Sequence, residues 1–131
     1  MYGTAPMHAP RINLLRLEEE LSAVHLRLVK VNIEHLPWED FIRRYDKPGT
    51  LFYCDPPYYK KPFYAHNLKL EDFQLMAEVL AGIKSKFILS INDHPDIRDV
   101  FKEFKIRPVS LKYTVSKGRQ MKGKELVVMN C

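Results

Sequence analysis

The sequence predicts an α/β fold whose mostly parallel sheet ends in a C-terminal antiparallel hairpin. Short runs of β-branched and aromatic residues alternate along the chain with segments whose apolar residues recur every three or four positions. Such alternation is typical of parallel sheets, because parallel strands need long crossover connections. The last two strand-like runs are joined by a short segment, which favours an antiparallel pair.

The composition is that of one globular domain with a basic surface. The chain has 131 residues, of which 46% are hydrophobic, and its net charge is +5, which permits nucleic-acid binding. It contains no apolar run that could cross a membrane and no signal peptide, and Cys54 and Cys131 lack metal-ligand spacing. We therefore expect a reduced, cytoplasmic protein without a membrane partner.

The first third of the chain predicts coil, two helices and a strand. Residues 1–10 have no apolar period and are expected to be coil. Residues 11–27 carry leucines at helical intervals, which predicts a helix whose apolar stripe packs on the core. The alternating, β-branched residues 28–33 predict a strand. Pro37 then opens a short helix that ends near Tyr45.

The middle of the chain predicts two buried strands and a long helix between them. We expect strands at 50–54 and 86–91, both parallel to the strand at 28–33. A loop at 59–69 separates the first of them from a helix at 70–84, which has the clearest apolar face.

The last third predicts a helix followed by the closing hairpin. Pro95 begins the helix, for which Asn92 or Asp93 can serve as N-cap. The hairpin strands are expected between Val109 and Met129, around a basic loop at 116–123.

The most informative stretch runs from Leu51 to Tyr58. Its apolar first half predicts a buried strand, and the two prolines stop that strand because proline fixes φ and has no N–H for a sheet ladder. Asp55 is therefore expected at the carboxyl end of a strand, where open α/β sheets bind ligands. The alternative is a plain strand-ending turn, since Asp and Pro are common in turns.

A planar group that bears an amine suits this stretch. The carboxylate of Asp55 and the carbonyl of Pro56 can accept the two amine hydrogens, while the ring of Tyr58 stacks on the plane. The lone pair of an adenine amine is conjugated into the ring. Acceptors that draw its hydrogens toward tetrahedral geometry would free that pair for attack. If Tyr58 contributes only stacking, loss of its hydroxyl should be tolerated.

These residues resemble a known family. The sequence Asp-Pro-Pro-Tyr at 55–58 matches the DPPY motif of amino-group DNA methyltransferases, and its context is similar to the Dam-like, D12-class adenine-N6 enzymes. Flanking residues fit the same pattern, and the resemblance covers roughly residues 11 to 130. The matching segments are Arg44-Tyr45-Asp46, Tyr59, Ser90-Ile91-Asn92 and Lys124-Glu125-Leu126.

The resemblance implies a Rossmann-like methyltransferase fold and an S-adenosylmethionine cofactor. It assigns catalysis to Asp55, Pro56, Pro57 and Tyr58, and contact with the cofactor to Asp55 and Tyr53. It implies DNA as the substrate, in site-specific methylation of the restriction–modification kind. No metal is expected, because the sulfonium itself provides the leaving group.

Two loops are candidates for holding nucleic acid, because aromatic residues can stack on bases while cations contact phosphates. A solvated loop with aromatic anchors is the alternative for the first, and a merely solubilising loop for the second. The candidates are Tyr59, Lys60, Lys61 and Tyr64 in the first loop and Lys117, Arg119 and Lys122 in the second.

One feature of the family is missing from the sequence. The family holds the cofactor with a glycine-rich F-x-G-x-G loop, whereas no two glycines here are one residue apart. We therefore expect residues 11–131 to be the carboxyl-terminal part of the catalytic domain and residues 1–10 to be the tail of an absent target-recognition region. A missing amino-terminal half, or a second subunit, is the expected partner.

Three functions remain open from the residues. The first is adenine-N6 methylation of DNA, and the second is a non-catalytic nucleic-acid-binding remnant of such an enzyme. The third is methylation of another planar amine, such as an RNA base or a protein amide. Protein-amide enzymes of related design carry Asn at the first motif position, so Asp55 argues against them, while an RNA adenine substrate stays possible.

Overall fold

The computed structural model describes residues 13–62, 65–115 and 119–131, with the side chains of residues 113–121 left out. The chain divides into two compact units, residues 1–36 and 37–131. The helices are α1 (Leu14–Leu28), α2 (Trp38–Tyr45), α3 (Leu70–Ala81) and α4 (Pro95–Val100). The strands are β1 (Leu51–Cys54), β2 (Lys86–Asn92), β3 (Lys105–Val115) and β4 (Arg119–Met129).

The first unit contains α1 and an irregular segment, and the strand predicted at 28–33 is wrong. Asn13 caps α1 by accepting a hydrogen bond from the backbone N–H of Arg16 at 3.3 Å. The helix continues to Leu28 because the leucine stripe continues that far, and a turn follows at Val29 and Lys30. A strand needs a ladder partner, and residues 31–37 pair with none of the described strands. The stripe itself, expected in a core, is exposed.

The second unit is built on a four-stranded mixed sheet of order β1-β2-β4-β3. β1 and β2 are parallel, whereas β4 is antiparallel both to β2 and to β3. The α/β class and the closing hairpin are therefore confirmed, but the mostly parallel sheet is wrong. One reason is the loss of the strand at 28–33. The other is that β4 occupies the second edge of β2, so that the sheet has one parallel pair and two antiparallel pairs.

The core lies on one face of this sheet. Phe87, Leu89 and Ile91 alternate along β2 and are fully buried, and the last two lie opposite Val128 and Leu126 of β4. Helices α3 and α4 cover this face with apolar side chains that belong to the same cluster. Those side chains are Phe73, Met76, Leu80 and Ile97. Each fully buried side chain of this kind contributes roughly 1.5–3 kcal/mol.

Several element ends differ from the predicted ones. α3 stops at Ala81 rather than at 84, because Gly82 ends it. The N-cap of α4 is His94, whose Nδ1 accepts from the backbone N–H of Asp96 at 3.1 Å, and neither Asn92 nor Asp93 caps the helix. The hairpin strands are also longer than expected, since each continues the ladder beyond its apolar run.

A polar cluster joins the amino-terminal ends of β1 and β2. The carboxylate of Asp46 accepts hydrogen bonds from the backbone N–H groups of Lys84 and Ser85 at 2.9 Å each, and from the Ser85 hydroxyl at 2.6 Å. The Ser85 hydroxyl oxygen in turn accepts from the backbone N–H of Lys47 at 3.1 Å. The hydrogen bond from Ser85 is the main cause that lowers the pKa of Asp46 below its ordinary 3.8.

We predict that this cluster makes stability depend on pH. A carboxyl group whose pKa is lowered on folding stabilises the fold above its unfolded value, and this contribution is lost as the pH falls through the lower folded value. Asp46→Asn should therefore lower the urea midpoint at pH 7, and the gap from the unchanged chain should close as the pH falls below about 3.8. A gap that is the same at pH 7 and pH 3 would contradict this role of Asp46.

Candidate active site

The segment from Asp55 to Tyr58 leaves the sheet at the carboxyl end of β1, as predicted. Cys54, the last residue of the strand, lies beside Leu89 of parallel β2. Asp55 itself is exposed, and no group in the described part of the chain forms a hydrogen bond with its carboxylate. Both carboxylate oxygens can therefore accept hydrogen bonds from a ligand.

A cavity of about 350 Å³ lies beside Asp55. Its lining comes from α2, from Leu68 and Met76, and from the segment Phe52 to Pro57; the α2 residues are Trp38, Phe41 and Ile42. Asp55 is the single charged side chain among the described residues that line it. An apolar cavity with one charged group at its wall is a common form of small-molecule site.

Two further residues of β1 line the same cavity. Tyr53, for which the family resemblance implies contact with the cofactor, is 67% exposed. Cys54 is half-buried, and burial raises the pKa of its thiol to about 11. Cys54 is therefore a protonated thiol at neutral pH and unsuited to act as a nucleophile.

Tyr58 is held through its hydroxyl group. The hydroxyl donates a hydrogen bond to Oε1 of Glu125, a residue of β4 that is only 7% exposed. Its ring is half-buried. Tolerance of the loss of this hydroxyl stays a prediction, and the contact argues against it, because removal of the hydroxyl would take this donor from a buried carboxylate.

The residue after the motif is held through its backbone. The side chain of Asn92 accepts from the N–H of Tyr59 at 2.7 Å and donates to its C=O at 3.0 Å. The chain then turns at Lys60, whose φ of 53° lies in the left-handed region that non-glycine residues rarely adopt. Asn92 thus fixes the path of the chain where it leaves the motif.

Tyr59 belongs to the core rather than to the surface of the loop. It is 7% exposed, and its ring meets those of Phe73 and His94 edge-on at 5.8 and 5.0 Å. Its hydroxyl donates to Asp96 at 2.9 Å, and this hydrogen bond is the main cause that lowers the pKa of Asp96. A stacking contact of this ring with a nucleotide would require it to leave that packing.

The remaining candidates for nucleic-acid contact fall into three groups. Lys60 and Lys61 are exposed, although the ammonium group of Lys60 lies 3.5 Å from Asp96 and 5.2 Å from the centre of the Tyr59 ring. Lys122 is exposed but lies within β4, opposite Lys112, so the predicted loop at 116–123 is wrong for its second half. The positions of Tyr64 and Lys117, and the side chain of Arg119, lie outside the described residues.

Sequence reasoning missed the site residues that act at long range. Glu125 fits the family pattern, but nothing near it in sequence indicates a contact with a tyrosine 67 positions earlier. The available signal was the position of Glu125 at the start of the apolar run that ends β4. A carboxylate that is buried there needs a partner.

The described residues contain neither a metal cluster nor a membrane-spanning helix. No cluster of three or more His, Cys, Asp and Glu side chains suits a metal ion there. None of the helices in that part of the chain is both apolar enough and long enough to cross a membrane.

Comparison with known proteins identifies the family. No curated protein matches the chain by sequence. The family described as D12 class N6 adenine-specific DNA methyltransferase matches residues 6–115, which is most of the chain and includes β1, the motif and β2. The chain therefore belongs to the D12 class N6 adenine-specific DNA methyltransferase family.

Proposed function

We propose that this chain supplies the amine-activating part of a site that methylates the N6 amine of adenine in DNA. The observation that carries the proposal is the position of Asp55, an exposed carboxylate at the carboxyl end of β1 beside an apolar cavity. In a member of a DNA adenine methyltransferase family, that is where a flipped base could present its amine.

The proposed role of each motif residue follows from its chemistry. Asp55 accepts one hydrogen of the N6 amine, and the carbonyl of Pro56 accepts the other. Because both acceptors are aimed at the hydrogens, they favour the pyramidal nitrogen of the transition state over the planar ground state. The ring of Tyr58 stacks on the base, and Pro57 keeps the backbone between these groups stiff.

S-adenosylmethionine would supply the methyl group from its sulfonium centre, as the family implies. The described residues fit this cofactor in part. The carboxylate of Asp55 and the exposed ring of Tyr53 suit a cationic group. Gly49 precedes β1 and Gly82 ends α3, so neither lies at the edge where the cofactor's methionine and ribose would need a glycine-rich turn.

We therefore propose that a glycine-rich half, on another segment or subunit, completes the cofactor site. β1 supports this proposal because it is an edge strand of the described sheet. Its outward side chains Leu51 and Tyr53 are 59% and 67% exposed. An open edge flanked by exposed apolar side chains is suited to pairing with a further strand.

The DNA backbone would be held by the exposed lysines next to the motif. Lys61 is the better candidate for a phosphate contact, since Lys60 is already near Asp96. Both come just after Tyr59, whose backbone is held by Asn92, on the turn that leaves the motif. Phosphates bound there would lie close to a base stacked on Tyr58.

Replacement of Asp55 tests the chemical role. In the chain combined with a glycine-rich amino-terminal half from the same family, Asp55→Ala should lower the rate of methyl transfer by about two to three orders of magnitude. Asp55→Asn should be nearly as damaging, because it removes the charge and presents amide hydrogens to the amine. The measurement is incorporation of labelled methyl groups into adenine-containing DNA.

Asp99→Asn is the matched control, because Asp99 is an exposed carboxylate at 78% side-chain exposure on α4. It should leave the rate unchanged. Near-full turnover by Asp55→Asn would refute the proposed acceptor role.

Charge replacement tests the proposed DNA contacts. Lys61→Gln should reduce the slope of log affinity against log salt by about 1, which is the loss of one phosphate contact. Adding Lys60→Gln, Lys117→Gln and Arg119→Gln should reduce it further. Binding is measured by titration of labelled DNA at several salt concentrations.

The control is Lys86→Gln, at the opposite end of β2, which should leave the slope unchanged. An unchanged slope in all the site variants would refute these contacts.

The second candidate is a nucleic-acid-binding protein without catalysis. It is favoured because no two glycines are one residue apart, so the chain lacks the glycine-rich cofactor loop. The two functions differ in cofactor binding, which calorimetry with S-adenosylmethionine measures directly. Binding only after addition of the glycine-rich half supports the enzyme. DNA binding without cofactor binding under either condition supports the second candidate. An RNA substrate is separated from DNA by comparing methyl incorporation into the two oligonucleotides.

A further inference from the structure

We propose that Asn92 and Glu125 are positioning residues that together fix the ring of Tyr58 for stacking on the target base. The effect on turnover rests on the proposed function, whereas the orientation of the ring can be tested without it. Neither residue touches the proposed ligand. Both act through the two residues that end the motif.

The two residues form one structural unit. Asn92 is the last residue of β2, and Glu125 lies directly opposite it in antiparallel β4. They are 6% and 7% exposed, which makes them two of the three buried polar residues in the described part of the chain. Backbone pairing of the strands continues past them through a hydrogen bond of 3.0 Å from the N–H of Asp93 to the C=O of Lys124.

Asn92 holds the backbone side of the tyrosine. Its amide makes two hydrogen bonds, of 2.7 and 3.0 Å, with the N–H and C=O of Tyr59. The N–H of Tyr59 belongs to the peptide group that links it to Tyr58, so this contact fixes the plane from which Tyr58 projects. On its other side Tyr58 follows Pro57, whose φ is restricted by its ring.

Glu125 holds the opposite end of the same side chain. The phenolic hydroxyl of Tyr58 donates to its carboxylate, and hydrogen bonds to a charged acceptor are the stronger kind. A tyrosine side chain has two rotatable bonds that set the ring. Asn92 holds the backbone and Glu125 holds the hydroxyl, so both rotatable bonds are fixed before a ligand arrives. Stacking then requires little further ordering, and preorganisation of this kind lowers the barrier.

A purely structural role predicts something different, and the chain contains a matched control for it. Asn130 makes the same two kinds of hydrogen bond at the amino-terminal end of β2, accepting from the N–H of Phe87 at 2.9 Å and donating to the C=O of Ser85 at 3.0 Å. Asn130→Ala therefore removes a clamp with the same hydrogen-bond pattern at the other end of β2, on a side chain that is exposed where Asn92 is buried. A role in general stability would lower the free energy of unfolding in either variant, by more at buried Asn92 than at exposed Asn130, without moving the Tyr58 resonance of the folded chain.

The experiment uses the whole chain with tyrosine labelled by carbon-13 at Cζ, the ring carbon that bears the hydroxyl. The Tyr58 resonance is assigned by its disappearance in Tyr58→Phe. Glu125→Ala should shift this resonance toward its position in the denatured chain, because its acceptor is lost. Glu125→Gln keeps an oxygen acceptor, so its Tyr58 resonance should lie close to that of the unchanged chain. Asn92→Ala should broaden or shift it, and Asn130→Ala should leave it in place.

Turnover with the glycine-rich half added gives the second readout. Glu125→Ala should lower kcat by about 10²-fold, the scale of a misplaced reacting group, with little change in KM for DNA. Glu125→Gln should restore most of the loss. If the unchanged chain shows no methyl transfer, the proposed function fails while the resonance still decides the positioning role.

Three results would overturn the inference. The first is a Tyr58 resonance that stays in place in both Glu125 variants. The second is an equal displacement of the resonance in Asn130→Ala. The third is a kcat of Glu125→Ala that equals that of the unchanged chain although the Tyr58 resonance has moved. Where Glu125→Ala fails to fold, Asn92→Ala against Asn130→Ala decides, because only Asn92→Ala should move the Tyr58 resonance.

Discussion

The parallel pairing of β1 with β2 is the constraint on which the site depends. Because the strands run in the same direction, their carboxyl ends meet at one edge, and the register sets Cys54 beside Leu89. Asp55 and Asn92 therefore leave the sheet at the same edge, although 37 positions separate their residue numbers. The apolar faces of β2 and β4, packed under α3 and α4, keep this pairing in place.

Polar contacts hold the two ends of β2 in a related way. At the amino-terminal end, Asp46 and Asn130 satisfy backbone groups around Ser85. At the carboxyl-terminal end, Asn92 holds Tyr59 and its strand partner Glu125 holds Tyr58. Ser85, Asn92 and Glu125 are buried, and buried polar groups are costly unless they are hydrogen-bonded. Each set of contacts therefore favours one arrangement of the adjoining chain. The first pair orders the entry to the sheet, and the second orders the exit toward the candidate site.

The parts of the fold that could be predicted are those encoded locally. The apolar run before Pro56 and Pro57 is enough to place a strand end at Asp55, and the periodicity of residues 70–81 is enough for α3. The strand at 28–33 failed because an alternating, β-branched run describes a strand only when a neighbour pairs with it. The contacts that organise the site could not be predicted, because Asn92 meets Tyr59 across 33 positions and Glu125 meets Tyr58 across 67.

The central claim is that Asp55 draws the amine of a bound base away from planarity. The nitrogen resonance of adenine labelled with nitrogen-15 at N6, in an oligonucleotide bound to the chain combined with its glycine-rich half, reports this directly. Binding should move the resonance toward the frequency of a pyramidal amine, and Asp55→Asn should abolish the movement while the oligonucleotide stays bound. If the bound oligonucleotide gave the same N6 resonance with the unchanged chain and with Asp55→Asn, the proposed role of Asp55 would be refuted.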